Sequence, residues 1–200
     1  WSAGASGFNR WHGNHKTGQG YSTPCNYYNC LKVPIYKGGA AQIAKMIRTV
    51  NPGGGTHLDS AMRIASKYYK NTTYSPIDKN LDCQNSYVIL IGDGDWFSHT
   101  HNRGLKIVKD IYKNNKIKTF AIAFGTGISA NGYRYFQDVA KAGGTGKSIV
   151  ATTGAALTAQ LKAKIGEIIA EKLSFTAPAI TATIEKGGSL YQAQFDYQQN

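Results

Sequence analysis

Two short runs of almost unbroken apolar residues constrain what this chain can fold into. In "SYVILIGDGDW" (Ser86–Trp96) the run Tyr87–Ile91 stops at Gly92, and in "KTFAIAFG" the segment Lys118–Phe124 stops at Gly125. Each is short for a helix and closed by a glycine, which reads as a strand buried in a sheet. Between them, "RGLKIVKDIYKNN" (Arg103–Asn115) sets Leu105, Val108 and Tyr112 on one side of a helix. Helices alternating with strands that are apolar throughout predict a parallel sheet covered on both faces.

The rest of the chain extends the alternation. "GAAQIAKMIRTV" from Gly39 carries Ile43, Met46, Ile47 and Val50 at helical spacing, and "NPGGGT" breaks that helix. "HLDSAMRIASKYY" starts another, with Leu58, Met62, Ile64 and Ala65 inward. A polar loop, 71–85, leads into the first buried strand. After the second come a short helix at Tyr133–Ala142, a strand at Ser148–Ala151 and a long helix from Ala155 to about Leu173. "CLKVPI" (Cys30–Ile35) is strand-like, but Pro34 would confine it to a sheet edge. The expected architecture is α/β, a three-layer, doubly wound, mostly parallel sheet.

The two ends differ from this core. Residues 1–37 begin with a stretch rich in Gly, Ser, Asn and Tyr, a surface excursion leading to the edge strand; 38–173 form the α/β core. Residues 174–200 alternate apolar and polar around a Lys-Gly-Gly break, the pattern of a β-hairpin that leads to a following domain. The chain opens on Trp1, which suggests a piece of a longer or processed polypeptide.

Charge and cysteine usage narrow the partners. With 23 Lys and Arg against 11 Asp and Glu, the net charge is +12, which favours polyanionic neighbours such as nucleic acid or acidic glycan. A soluble basic surface is the simpler account, because no dense basic block occurs. The nearest to a patch is Lys106, Lys109, Lys113 and Lys116, which would line one solvent face of a helix. No apolar run approaches the roughly 20 residues of a membrane span. Of the three cysteines, Cys25 and Cys30 flank "NYYN" and would close a small loop if geometry permits. Cys83 has no evident partner: a cysteine in missing sequence, a free thiol, or no bridge at all each fits, and an oxidising compartment is favoured.

In an open parallel sheet, ligands bind beyond the carboxyl ends of the strands. Asp93 and Asp95 stand at such an end, although Asp-Gly pairs are also ordinary turn formers. "NPGGGT" would bring Thr56 to the same rim just before a helix, and a hydroxyl beside a carboxylate suits a hard divalent cation.

"NPGGGTHLDSAM", "SPI" (Ser75–Ile77), "CQNSYVILIGDGDW" and "KTFAIAFG" resemble the von Willebrand factor A-type domain. More narrowly, they resemble the A-type domain of the PilC-like group of type IV pilus tip adhesins. The likeness covers roughly residues 38–173. It implies a binding module, not an enzyme. A Mg²⁺ ion (or Mn²⁺ or Ca²⁺) at a metal-ion-dependent adhesion site would leave an open position for a partner's carboxylate. Thr56 matches a direct ligand, Asp93 matches an aspartate acting through water, and Asp95 and Trp96 would shape the partner-binding rim. The family's first loop, Asp-x-Ser-x-Ser, occurs nowhere in the chain, and Gly92 stands where threonine is usual. On this view the first strand lies upstream of Trp1 and the chain carries half a metal site; a degenerate domain binding no metal, with a structural role in assembly, is the alternative. The likeness further implies a bacterial cell-surface or extracellular location, at a pilus tip or outer membrane, and partners among pilus subunits, minor pilins or a host or surface ligand.

Three other patterns weigh less. "GGTGKS" (Gly143–Ser148) suggests a phosphate-binding loop, but a helix precedes it and a strand follows, the reverse of that motif's order. His99 and His101 fall just past Asp95, where a transition-metal site is conceivable, as surface-loop histidines are. His12 and His15 form a second such pair. The polyanion reading, DNA or acidic glycan on the lysine face, stays open beside the adhesion reading.

Overall fold

The computed structural model describes residues 33, 35, 39–48, 56–72, 75–81 and 84–173. Within them the chain is a mixed α/β fold with eight elements in order: α1 (Gly39–Ile47), α2 (Leu58–Lys70), β1 (Tyr87–Gly92), α3 (Ser98–Asn115), β2 (Lys118–Phe124), α4 (Ala130–Ala142), β3 (Ile149–Ala151) and α5 (Gly154–Leu173). Two compact units are present, residues 1–160 and 161–200. Of the second, only the helical stretch up to Leu173 is described; Lys164 Nζ and Glu167 Oε2 form an ion pair there at 2.6 Å. The Cys25–Cys30 loop, Cys83, His12, His15 and the hairpin expected in 174–200 lie outside the described residues.

The three strands form one parallel sheet in the order β1-β2-β3. Register pairs Val88 with Thr119, Leu90 with Ala121 and Gly92 with Ala123. The residues of that face pack with Leu58, Met62 and Ala65 of α2, Val108 and Ile111 of α3, and Phe136, Val139 and Ala140 of α4. Both crossover helices therefore lie on one face, as same-handed connections between sequential strands require. Gly92 is where this packing is tightest: a Cβ there would stand 2.9 Å from Phe136 Cζ. A glycine at the end of β1 lets the fully buried Phe136 ring close over the strand.

Four details depart from expectation. The second face is not uniformly covered: Ile122 is fully buried, but Ile89 and Ile91 are 39% and 41% exposed. α3 begins at Ser98 rather than Arg103, and α4 at Ala130 rather than Tyr133. Of the edge strand expected over Cys30–Ile35, Val33 and Ile35 are described, and neither is in a strand. Val33 is nonetheless buried, and the Ile35 N–H donates to Tyr68 Oη at 2.9 Å. Among the described residues no helix is long and apolar enough to cross a membrane.

Candidate functional site

Two turns distant in sequence meet at the carboxyl end of β1. The Phe97 N–H donates to the Thr56 carbonyl at 3.1 Å, joining the segment before α2 to the segment before α3. Thr100, fully buried, reinforces the joint: its hydroxyl donates to the Phe97 carbonyl at 2.7 Å and accepts from the Leu58 N–H at 3.3 Å. His57, the residue capping α2, makes no side-chain cap bond, and Thr100 from the neighbouring helix supplies an acceptor to one of the N–H groups that the start of α2 leaves without a partner in its own helix. Nothing in "SHTHN" marks this threonine.

Beneath the joint lies a cavity of about 50 Å³, lined by Thr56, His57, Leu58, Gly92, Asp93 and Trp96 among others. Thr56 and Asp93 both line this cavity. Their neighbours Asp95 and Trp96 have other positions. The Asp93 side chain is exposed and takes part in no hydrogen bond or ion pair among the described residues. Asp95 is also exposed, but its carboxylate accepts from the Ser129 N–H at 3.0 Å and from the Ser129 hydroxyl. Ser129 caps α4, accepting from the Gly132 N–H at 3.1 Å. Asp95 therefore ties the β1 turn to the start of α4, where a negative charge also suits the helix dipole.

Trp96, expected on the rim, is buried at 5% exposure, its ring edge-on to Phe136 at 4.7 Å. It contributes to the cavity wall from inside. Its Nε1–H donates to His101 Nδ1 at 3.2 Å, and His101 Nε2 lies 3.2 Å from Asp138 Oδ2. His101 also stacks on Tyr135, ring centres 4.0 Å apart. His99 goes elsewhere: it is exposed and stacks on Phe97 at 5.5 Å, with His57 edge-on to both. The two histidines do not converge, and among the described residues no group of three or more His, Cys, Asp or Glu side chains is placed to hold a metal.

The glycine-rich loop after α4 is likewise occupied. The Thr145 and Gly146 N–H groups both donate to the Ala140 carbonyl, at 3.0 and 3.2 Å, closing the helix end. Amides engaged in this way do not cradle a phosphate. By contrast, the motif residues of the 71–85 loop have clear work. Gln84 donates to the Pro76 carbonyl at 2.9 Å and accepts from the Asp78 N–H at 2.7 Å, so the Gln of "CQ" braces the "SPI" turn. Ser75 Oγ donates to the Tyr69 carbonyl at 2.7 Å, anchoring the same turn to the end of α2.

No protein-family model matches the chain, and no curated protein matches it either.

Proposed function

We propose that the chain is a binding module rather than an enzyme: a three-layer A-type domain of a type IV pilus-associated surface protein, engaging its partner at the lip shared by Thr56 and Asp93. The observation that carries this reading is that Thr56 and Asp93 line one cavity, where the Phe97–Thr56 bond holds the segment before α2, and that the Asp93 carboxylate has no hydrogen-bond or ion-pair partner among the described residues. Asp95, by comparison, is committed to Ser129.

The donor types suit a hard cation: the Thr56 hydroxyl as a direct ligand, the Asp93 carboxylate through water, with an open position for a carboxylate from the partner. The number is incomplete, since such an ion takes about six oxygens and Thr56 offers one, with Asp93 holding a second through water. The remainder would come from water, from the partner, and from the first loop that the resembled family carries and this chain lacks. The partner classes that follow are pilus subunits, minor pilins, or a carboxylate-bearing ligand on a host or other surface. The setting is the bacterial exterior, and the role is attachment or pilus assembly.

Calorimetric titration of Mg²⁺ and of Mn²⁺ into the full-length protein carrying the first loop, and into its Thr56→Ala variant, tests the ligand assignment. The expected result is measurable binding that weakens at least about tenfold in the variant, a loss of about 1.4 kcal/mol. Equal affinity in both proteins rejects Thr56 as a ligand, and no binding to the unmodified full-length protein rejects the cation site.

A further inference from the structure

A second groove, on another part of the surface, is basic. It has a volume of about 940 Å³ and runs between α3 and α4. Lys106, Lys109 and Lys113 of α3 and Lys116, the residue capping its end, line it, and Lys141 of α4 lines it as well. All five are exposed. Lys116 Nζ donates to the Lys113 carbonyl, whereas Lys106, Lys109, Lys113 and Lys141 enter no ion pair among the described residues. At 1.5 Å per residue, Lys106, Lys109 and Lys113 set a charge about every 5 Å along a track of about 10 Å, which Lys116 extends past the helix end.

An aromatic ring sits within this row. Tyr112 is 37% exposed and lines the groove. Its ring rests directly on Gly144: a Cβ there would come within 2.3 Å of Tyr112 Cζ, and Gly144 has φ +76°, so the position disfavours any side chain twice over. One side of the ring is thus supported by backbone while part of it remains open. Asp138, the one carboxylate among the described residues lining the groove, lies 3.2 Å from His101 Nε2.

We propose that this groove binds single-stranded nucleic acid, with the lysines tracking phosphates and Tyr112 stacking on a base. A row of ammonium groups alone would suit any polyanion. The supported ring selects among them, because unpaired bases present faces to stack on and a duplex does not. The site is independent of the Thr56–Asp93 lip and of any cation there.

Fluorescence anisotropy of a labelled oligothymidine of about a dozen nucleotides, within the usual site sizes, is the direct test. Binding to the intact chain is expected to fall steeply with salt and to ignore both chelator and Asp93→Ala. The Lys106→Gln/Lys109→Gln pair should weaken binding and lower the salt slope by roughly 1.4. Tyr112→Ala should weaken it roughly 5- to 150-fold, the range for loss of one stacked base, while Tyr112→Phe, which keeps the ring, should bind as the intact chain does; an unchanged far-UV circular dichroism spectrum guards against a folding defect in Tyr112→Ala. Absence of binding at low salt, or indifference to the lysine changes, overturns the site. Competition by a heparin fragment or by duplex at equal charge, with Tyr112→Ala unchanged, overturns the single-strand assignment.

Discussion

The Asp95 carboxylate takes two hydrogen bonds from Ser129, 34 residues away along the chain, one from its N–H and one from its hydroxyl. Asp93, two positions earlier, has no such partner among the described residues. The same Asp-Gly-Asp turn therefore holds one acid for the fold and leaves one available. Asp95→Ala is expected to destabilise by about 1–2 kcal/mol, the range for a lost capping interaction at a solvent-accessible helix start. Asp93→Ala should stay within about 0.5 kcal/mol, as for a surface change that breaks nothing. Urea unfolding with an unchanged slope measures both. Equal losses would mean that Asp93 is structural and that its place on the lip has another cause.

Gly92 supports a second expectation. Phe136 occupies the space that a side chain at this position would need. Gly92→Thr should cost about 1–3 kcal/mol through overpacking. Adding Phe136→Leu should recover part of that loss, so the two changes combine to less than their sum. Strict additivity in chemical unfolding would show that the contact is not the constraint.

The sheet was legible because its strands are apolar without alternation, which leaves little but a buried parallel strand. Helix starts were not. The first turn of α3, Ser98–Asn102, contains no apolar residue and follows Phe97, a residue type that does not cap. In α4 the pair Asn131-Gly132 reads as a turn, yet Ser129 caps the helix in front of it. The candidate lip was legible as a pair of loops, since position at a strand end follows from topology. Which acid of Asp93 and Asp95 stays available was not, because Ser129 lies beyond a helix and a strand. For the same reason Lys141 could not be joined to the α3 lysines: periodicity relates residues within one helix and says nothing of the next.

The Trp96–His101–Asp138 chain fixes a tautomer. A tryptophan Nε1–H only donates, so His101 Nδ1 must accept it. In the neutral ring the proton is then on Nε2, directed at Asp138 Oδ2. Ring nitrogen NMR shifts on ¹⁵N-labelled protein should show the Nε2–H form for the neutral ring, with the preference reduced in Trp96→Phe. A dominant Nδ1–H form would mean that the Trp96 bond does not exist in solution.

Tyr69 supplies the pH dependence. Its hydroxyl donates to the Tyr87 carbonyl at 2.8 Å, linking α2 to the first residue of β1, and the ring is 7% exposed. Burial first, and the neighbouring Tyr68 second, push its pKa from 10.0 up to about 12. A raised folded pKa favours the protonated form, so its contribution is fully present below the unfolded value near 10 and is lost as pH rises toward 12. At 1.36 kcal/mol per unit, the loss over that window is on the order of 2–3 kcal/mol, beyond the general alkaline decline shared by other groups. Tyr69→Phe should cost about 1 kcal/mol at neutral pH through the lost bond, then decline less between pH 10 and 12 than the unmodified chain. Parallel decline of the two proteins over that window would show that Tyr69 ionises as freely when folded as when unfolded, and that the α2–β1 link does not hold the phenol out of water.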